Sequence, residues 1–143
     1  MRIENVEQLK AWDLRWPARE AGPFELNFGG IQQALGSNTS VLGVYWIGYS
    51  GGTHASFRAK YCGKAVQQPL FARLRQHVSC SHNSSIKNHL DHPKSYPRLW
   101  FRFVEFSTPA VASYAEAVMI IGFRDEYEFN RRNEWSQHWA LET

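Results

Sequence analysis

Residues 41–62 constrain this chain more than any other stretch. Val41 to Tyr49 (VLGVYWIGY) is dense in β-branched and aromatic side chains, the types that pack on a pleated surface, and reads as a strand. Ser50 to His54 (SGGTH) reads as a turn, and Phe57 to Cys62 as a second strand, so the two close into a hairpin. Leu99 to Phe106 (LWFRFVEF) offers a third strand.

Helical signals fill the remainder. Thr108-Pro109 is an N-cap followed by proline at the first helical position, ahead of AVASYAEAVMII, with a stop near Gly122. Pro69 suits the same first position for PLFARLRQHV, where Leu70, Leu74 and Val78 share one face. Arg73 and His77, also four apart, share another. Asn5 caps a short helix through Val6, Leu9 and Trp12 that ends before Pro17, and residues 18–30 read as loop. Ile31 to Leu35 makes one or two helical turns. Residues 79–98 read as a polar loop with a short helix near Ile86 to Leu90, and Asn130 to His138 as a last short helix. The expectation is an α+β domain, a small three-stranded sheet, antiparallel or mixed, flanked by helices. With 143 residues the chain makes one domain, residues 1–40 being an N-terminal extension.

Composition excludes several classes. Aromatic residues make up 15% of the chain, which argues against disorder. MRIENVEQLKAW lacks the apolar segment of a secretory signal, and no apolar run approaches the roughly 18 residues of a membrane span. Two cysteines, Cys62 and Cys80, make no disulfide framework. A cytoplasmic protein with no membrane partner is expected. The net charge of +3 conceals an asymmetry: residues 58–102 hold nine Lys and Arg against one acid, Asp91. One-sided positive charge suits a polyanion partner, although a solvated surface gives the same pattern.

Glu116 is the single charged residue between Pro109 and Phe123. A carboxylate in so apolar a helix must be paired, hydrated at a cleft edge, or bound to a cation. A salt bridge satisfies that requirement, and so does a hard cation such as Mg²⁺. Arg73 and Arg75 carry planar guanidinium forks suited to phosphate.

Gly43-Val44-Tyr45 lies on the first strand and Tyr61-Cys62-Gly63 ends the second, followed directly by Lys64. With Arg73, His77, Glu116 and Asn130 behind them in order, these residues resemble the GIY-YIG nucleases over about residues 41–131. The resemblance implies a metal-dependent endonuclease, with a restriction-type enzyme the expected kind, hydrolysing phosphodiester bonds with one Mg²⁺ or Mn²⁺ on Glu116. It implies that Arg73 neutralises the transition state with help from Lys64, and that Asn130 orders the site. Tyr45 or Tyr61, aided by His77, would orient or deprotonate the attacking water. The His77 spacing selects Arg73 over Arg75. Fifteen residues separate Tyr45 from Tyr61, more than is usual in the family. DNA is the expected partner, with RNA the alternative, and a homodimer would let both strands be cut. Arg75, Lys87, His89 and Lys94 are the expected nucleic-acid contacts. Three other readings stand beside this one. The first is a zinc site from His77, Cys80, His82, His89 and His92, the second an RNA-cleaving or broad-specificity toxin nuclease, and the third a nucleic-acid-binding module without catalysis.

Overall fold

The computed structural model describes residues 2–11, 22–123 and 125–130. Three strands form the body of the sheet: β3 (Gly43–Tyr49), β4 (Arg58–Ala65) and β5 (Trp100–Phe106), with β3 central and antiparallel to both others. Two further strands, β1 (Arg2–Ile3) and β2 (Phe24–Glu25), flank β5, β1 parallel and β2 antiparallel to it. The described sheet is therefore mixed, with β4 on its outer edge. The expectation of three strands falls short by these two. Each is two residues long, with no periodicity for a sequence reading to detect.

Side chains alternate across the sheet and feed two cores. On one face Val44, Trp46, Cys62, Val104 and Phe106 meet Leu9 of α1 (Val6–Lys10) and Val111, Ala112, Ala115, Met119 and Ile120 of α5 (Pro109–Phe123). On the other, Tyr45, Ile47, Tyr61 and Phe101 meet α2 (Phe28–Leu35), α3 (Leu70–Cys80) and α4 (Ser84–Asp91) through Ile31, Leu35, Leu70, Leu74 and Ile86. α5 begins as expected, with the Val111 amide donating to Thr108 Oγ1 at 3.3 Å, but runs one residue past Gly122. Pro69 is the N-cap of α3 rather than its first helical residue.

The loop expected over residues 18–30 is corrected where it is described. Asn27 caps α2 by accepting from the Gly30 amide at 2.6 Å, so a helix starts at Phe28. The first forty residues are no mere extension in their described parts, because they supply β1, β2 and the buried face of α2. The polar loop expected after α3 shrinks, since α3 continues to Cys80 and α4 covers 84–91. The first expected helix ends sooner than expected, at Lys10 with Ala11 as its C-cap, while Trp12 and the last expected helix beyond Asn130 lie outside the described residues.

Candidate active site

The hairpin register places the two motif tyrosines. Tyr45 pairs with Gly63 and Ile47 with Tyr61, so both tyrosines point to the α3 side of the sheet, two positions apart on the diagonal. A register shift after Ile47 leaves Lys60 as the extra residue of a β4 bulge just before Tyr61. The rings lie 6.0 Å apart between centroids. Gly63 makes this arrangement possible. A Cβ there would stand 2.6 Å from Tyr45 Cζ and Oη and 2.8 Å from Tyr61 Cε1. Gly43 is equally forced, since a Cβ would strike the Val104 carbonyl.

α3 lays His77 against both rings, at 5.7 Å from Tyr45 and 5.6 Å from Tyr61. Tyr45 Oη and His77 Nε2 are 2.8 Å apart, and His77 Nδ1 lies 2.7 Å from Ser81 Oγ. Ser81 also accepts from the Asn83 amide at 3.1 Å. His77 is 3% exposed, and burial, followed by the charges of Arg73 and His82, pulls its pKa down to about 3. The ring is therefore neutral at working pH. Tyr45 is fully buried, which pushes its hydroxyl up to about 12. The Arg73 charge and hydrogen bonds from Arg73 and Tyr61 act against that rise, while the Glu116 charge adds to it. Burial acts to lower the Arg73 pKa, but the charges of Tyr45 and Tyr61 and hydrogen bonds to both outweigh it, so the guanidinium is held more firmly protonated than usual. Four of the expected residues thus form one cluster, drawn from three elements.

Lys64 and Glu116 form a second group. Lys64 follows Cys62 in the strand alternation and faces α5, where its Nζ donates to Ser113 Oγ at 3.2 Å and lies 3.8 Å from Glu116 Oε1. Glu116 is 8% exposed, so the anomaly in the apolar helix is a carboxylate beside an ammonium at a half-buried edge. The two groups lie on opposite faces of β4, and the Glu116 field reaches Tyr45.

Asn130 supports the strand between them. Its Oδ1 accepts from the Cys62 amide and its Nδ2 donates to the Cys62 carbonyl, both at 2.9 Å. The Phe129 amide adds a bond to the Lys60 carbonyl at 2.8 Å. Residues 129–130 thereby cover the outer edge of β4 on both sides of Tyr61. Asn83, which sequence reasoning missed, caps α4 through Oδ1 and holds the Phe129 carbonyl through Nδ2 at 2.7 Å. Ser81 was missed as well. Its one sequence signal is its place one turn after His77.

The expected nucleic-acid contacts divide. Lys87 and Lys94 are exposed, with Lys87 paired to Asp91 at 2.6 Å. Arg75 is exposed but points away from Arg73, resting over the rings of Phe28 and Phe71. His89 lies in the helix expected near Ile86 to Leu90 but is buried rather than exposed. Its Nε2 meets Tyr49 Oη at 2.7 Å, its Nδ1 meets the Ser85 carbonyl at 2.7 Å, and its ring packs on Tyr96 and Phe129. Arg102, counted with the basic surface, is likewise buried, over the Phe57 ring. Among the described residues no three His, Cys, Asp or Glu side chains gather where they could hold a metal, the five residues of the zinc reading included. No described helix is long and apolar enough to cross a membrane. No protein-family model, curated protein or solved structure matches the chain.

Proposed function

We propose that this protein is a divalent-metal-dependent endonuclease of the GIY-YIG kind, hydrolysing phosphodiester bonds in DNA. The observation that carries the reading is the gathering of Tyr45, Tyr61, Arg73 and His77, from β3, β4 and α3, with the Lys64–Glu116 pair across β4 and the Glu116 field reaching Tyr45. A salt bridge alone accounts for Glu116, and aromatic packing alone accounts for one buried tyrosine. Neither accounts for two phenols converging on a guanidinium and a neutral imidazole inside a small core.

A cation is compatible with the residues present. Glu116 is a hard oxygen donor at a half-buried edge, its Oε1 paired with Lys64 Nζ at 3.8 Å. Mg²⁺ often takes one or two carboxylates, with water and phosphate completing the shell. When bound, it supplies charge stabilisation at a phosphate oxygen. Arg73, held protonated by its phenol neighbours, provides a fixed positive charge for the phosphorane-like transition state. The Tyr61 hydroxyl, backed by Tyr45 and the neutral imidazole, orients the attacking water. Asn130 and Gly63 act on geometry, the first by fixing the Cys62 backbone and the second by leaving room for both rings.

The test is incubation of the protein with supercoiled plasmid and with structured RNA, in Mg²⁺ and in EDTA, beside Arg73→Ala and Glu116→Ala. Metal-dependent cutting of plasmid, lost in both variants, is expected. Cutting of RNA alone would move the substrate class. The absence of cutting on either would return the chain to a binding module.

A further inference from the structure

His77 has two ring nitrogens and, being neutral, one proton to place between them. Its Nε2 faces Tyr45 Oη and its Nδ1 faces Ser81 Oγ, so the tautomer decides which way protons point through the cluster. Ser81 settles the choice. It is 6% exposed and stands at the C-terminal cap of α3, where the extended backbone folds its hydroxyl back one turn onto His77. The Asn83 amide donates to Ser81 Oγ, which fills one lone pair of that oxygen. The hydroxyl proton still needs an acceptor, and Nδ1 is the acceptor that the described residues put within reach. The opposite tautomer would aim Nδ1–H at an oxygen that already accepts a bond and would strand the buried hydroxyl proton. Leaving a buried donor unmade disfavours that form by roughly 5- to 150-fold.

Building on the proposed nuclease reading, we infer that Ser81 is a positioning residue that locks His77 in the Nε2–H tautomer, so that His77 donates to Tyr45. The order of donation is then Asn83 amide to Ser81, Ser81 hydroxyl to Nδ1, and Nε2–H to Tyr45. Tyr45 also receives from Arg73, and in its ionised form from Tyr61. Burial pushes the Tyr45 hydroxyl up to about 12, and an Nε2–H aimed at its oxygen from 2.8 Å works against that rise. Tyr61, 6% exposed against 0% for Tyr45, is left as the hydroxyl that meets water. His77 accepts no proton in this scheme, in keeping with a ring that stays neutral down to about 3. The charged and titratable groups around the pair are Arg73 and His82 near His77, and Tyr61, Arg73 and Glu116 near Tyr45.

The experiment is a long-range ¹H–¹⁵N correlation spectrum of the ¹⁵N-labelled full chain at pH 7, with His77 assigned by its loss in His77→Gln. A protonated Nε2 and a bare Nδ1 are expected. A protonated Nδ1 in the wild type would overturn the proposal without need of any further variant. Ser81→Ala should shift the population toward Nδ1–H and Ser81→Thr should restore it. An unchanged tautomer in Ser81→Ala would also overturn the role given to Ser81. The pH dependence of plasmid cleavage adds a readout that a merely structural role would leave still: its rising limb should move to higher pH in Ser81→Ala and return in Ser81→Thr. The two proposals fail separately. An Nε2–H protein that cuts nothing sinks the nuclease and keeps the lock, whereas an active nuclease with Nδ1–H sinks the lock alone.

Discussion

Replacing Asn130 probes how the edge strand holds the tyrosine cluster. The side-chain amide of Asn130 does the work of a missing neighbour strand, accepting from the Cys62 amide and donating to its carbonyl, each at 2.9 Å. Cys62 is 1% exposed and sits between Tyr61 and Gly63. Asn130→Ala strands one buried donor and one buried acceptor. Each orphaned group costs about 1–3 kcal/mol, and water entering at the edge favours the lower part, so about 2–4 kcal/mol is expected in total. Against a stability of about 5–15 kcal/mol this is a large fraction. Urea unfolding followed by tryptophan fluorescence measures it, Trp46 being buried in the sheet. Asn130→Asp sharpens the test because it keeps the shape. Its carboxylate can still accept from the Cys62 amide but faces the Cys62 carbonyl lone pairs where a donor stood. The cost of Asn130→Asp relative to wild type should therefore be large at pH 8 and shrink toward pH 4, where a protonated carboxyl can donate again. Its folded pKa is raised, so the stabilising contribution is present at low pH and lost as pH rises. A loss below about 0.5 kcal/mol for Asn130→Ala would refute the reasoning, since that is the range of ordinary surface substitutions. So would an Asp variant with the same deficit at both pH values.

Three further outcomes follow from the packing and charge of the site. Gly63→Ala places a methyl 2.6 Å from the Tyr45 ring, so it should cost about 1–3 kcal/mol by overpacking and lower plasmid cleavage as the phenols move, read by urea midpoint and nicking rate. His77 carries a pKa depressed to about 3 against an ordinary value of about 6.5, first by burial and then by Arg73 and His82. Its contribution is present above about pH 6.5 and is lost at up to about 1.4 kcal/mol per pH unit as acid takes the solution toward 3, so wild type should lose more stability than His77→Gln between pH 7 and pH 4.5. Leu74→Ala, at a fully buried position of α3, should cost about 2–5 kcal/mol by thermal unfolding.

The elements with strong local signals were legible. Residues 43–49 and 100–106 are strands because aromatic and β-branched side chains alternate between two cores, and α5 starts where Thr108 and Pro109 say it should. β1 and β2 were not, because two residues carry no period and exist as strands only through β5. α2 was half hidden by Gly29-Gly30, poor helix formers. Gly30 is present because a Cβ would collide with the Glu25 carbonyl, a tertiary reason no local pattern carries. The tyrosines, Arg73 and His77 could be listed from the sequence, and their one-turn spacing put Arg73 and His77 on one face. That Lys64 and Glu116 face the other side of β4 depends on strand register. Charge counting misjudged His89 and Arg102, since formal charge does not distinguish a solvated side chain from one buried against aromatic rings.

The proposed function turns most directly on Glu116. The measurement is the single-turnover cleavage rate of supercoiled plasmid as Mg²⁺ is titrated, for wild type and Glu116→Gln. The nuclease reading expects wild-type cutting that rises and saturates with Mg²⁺. It expects the Gln variant to be slower by roughly 10²–10³-fold and to need more Mg²⁺, because a neutral amide is a poor ligand for a hard cation. Equal rates and equal Mg²⁺ dependence in the two proteins would contradict it.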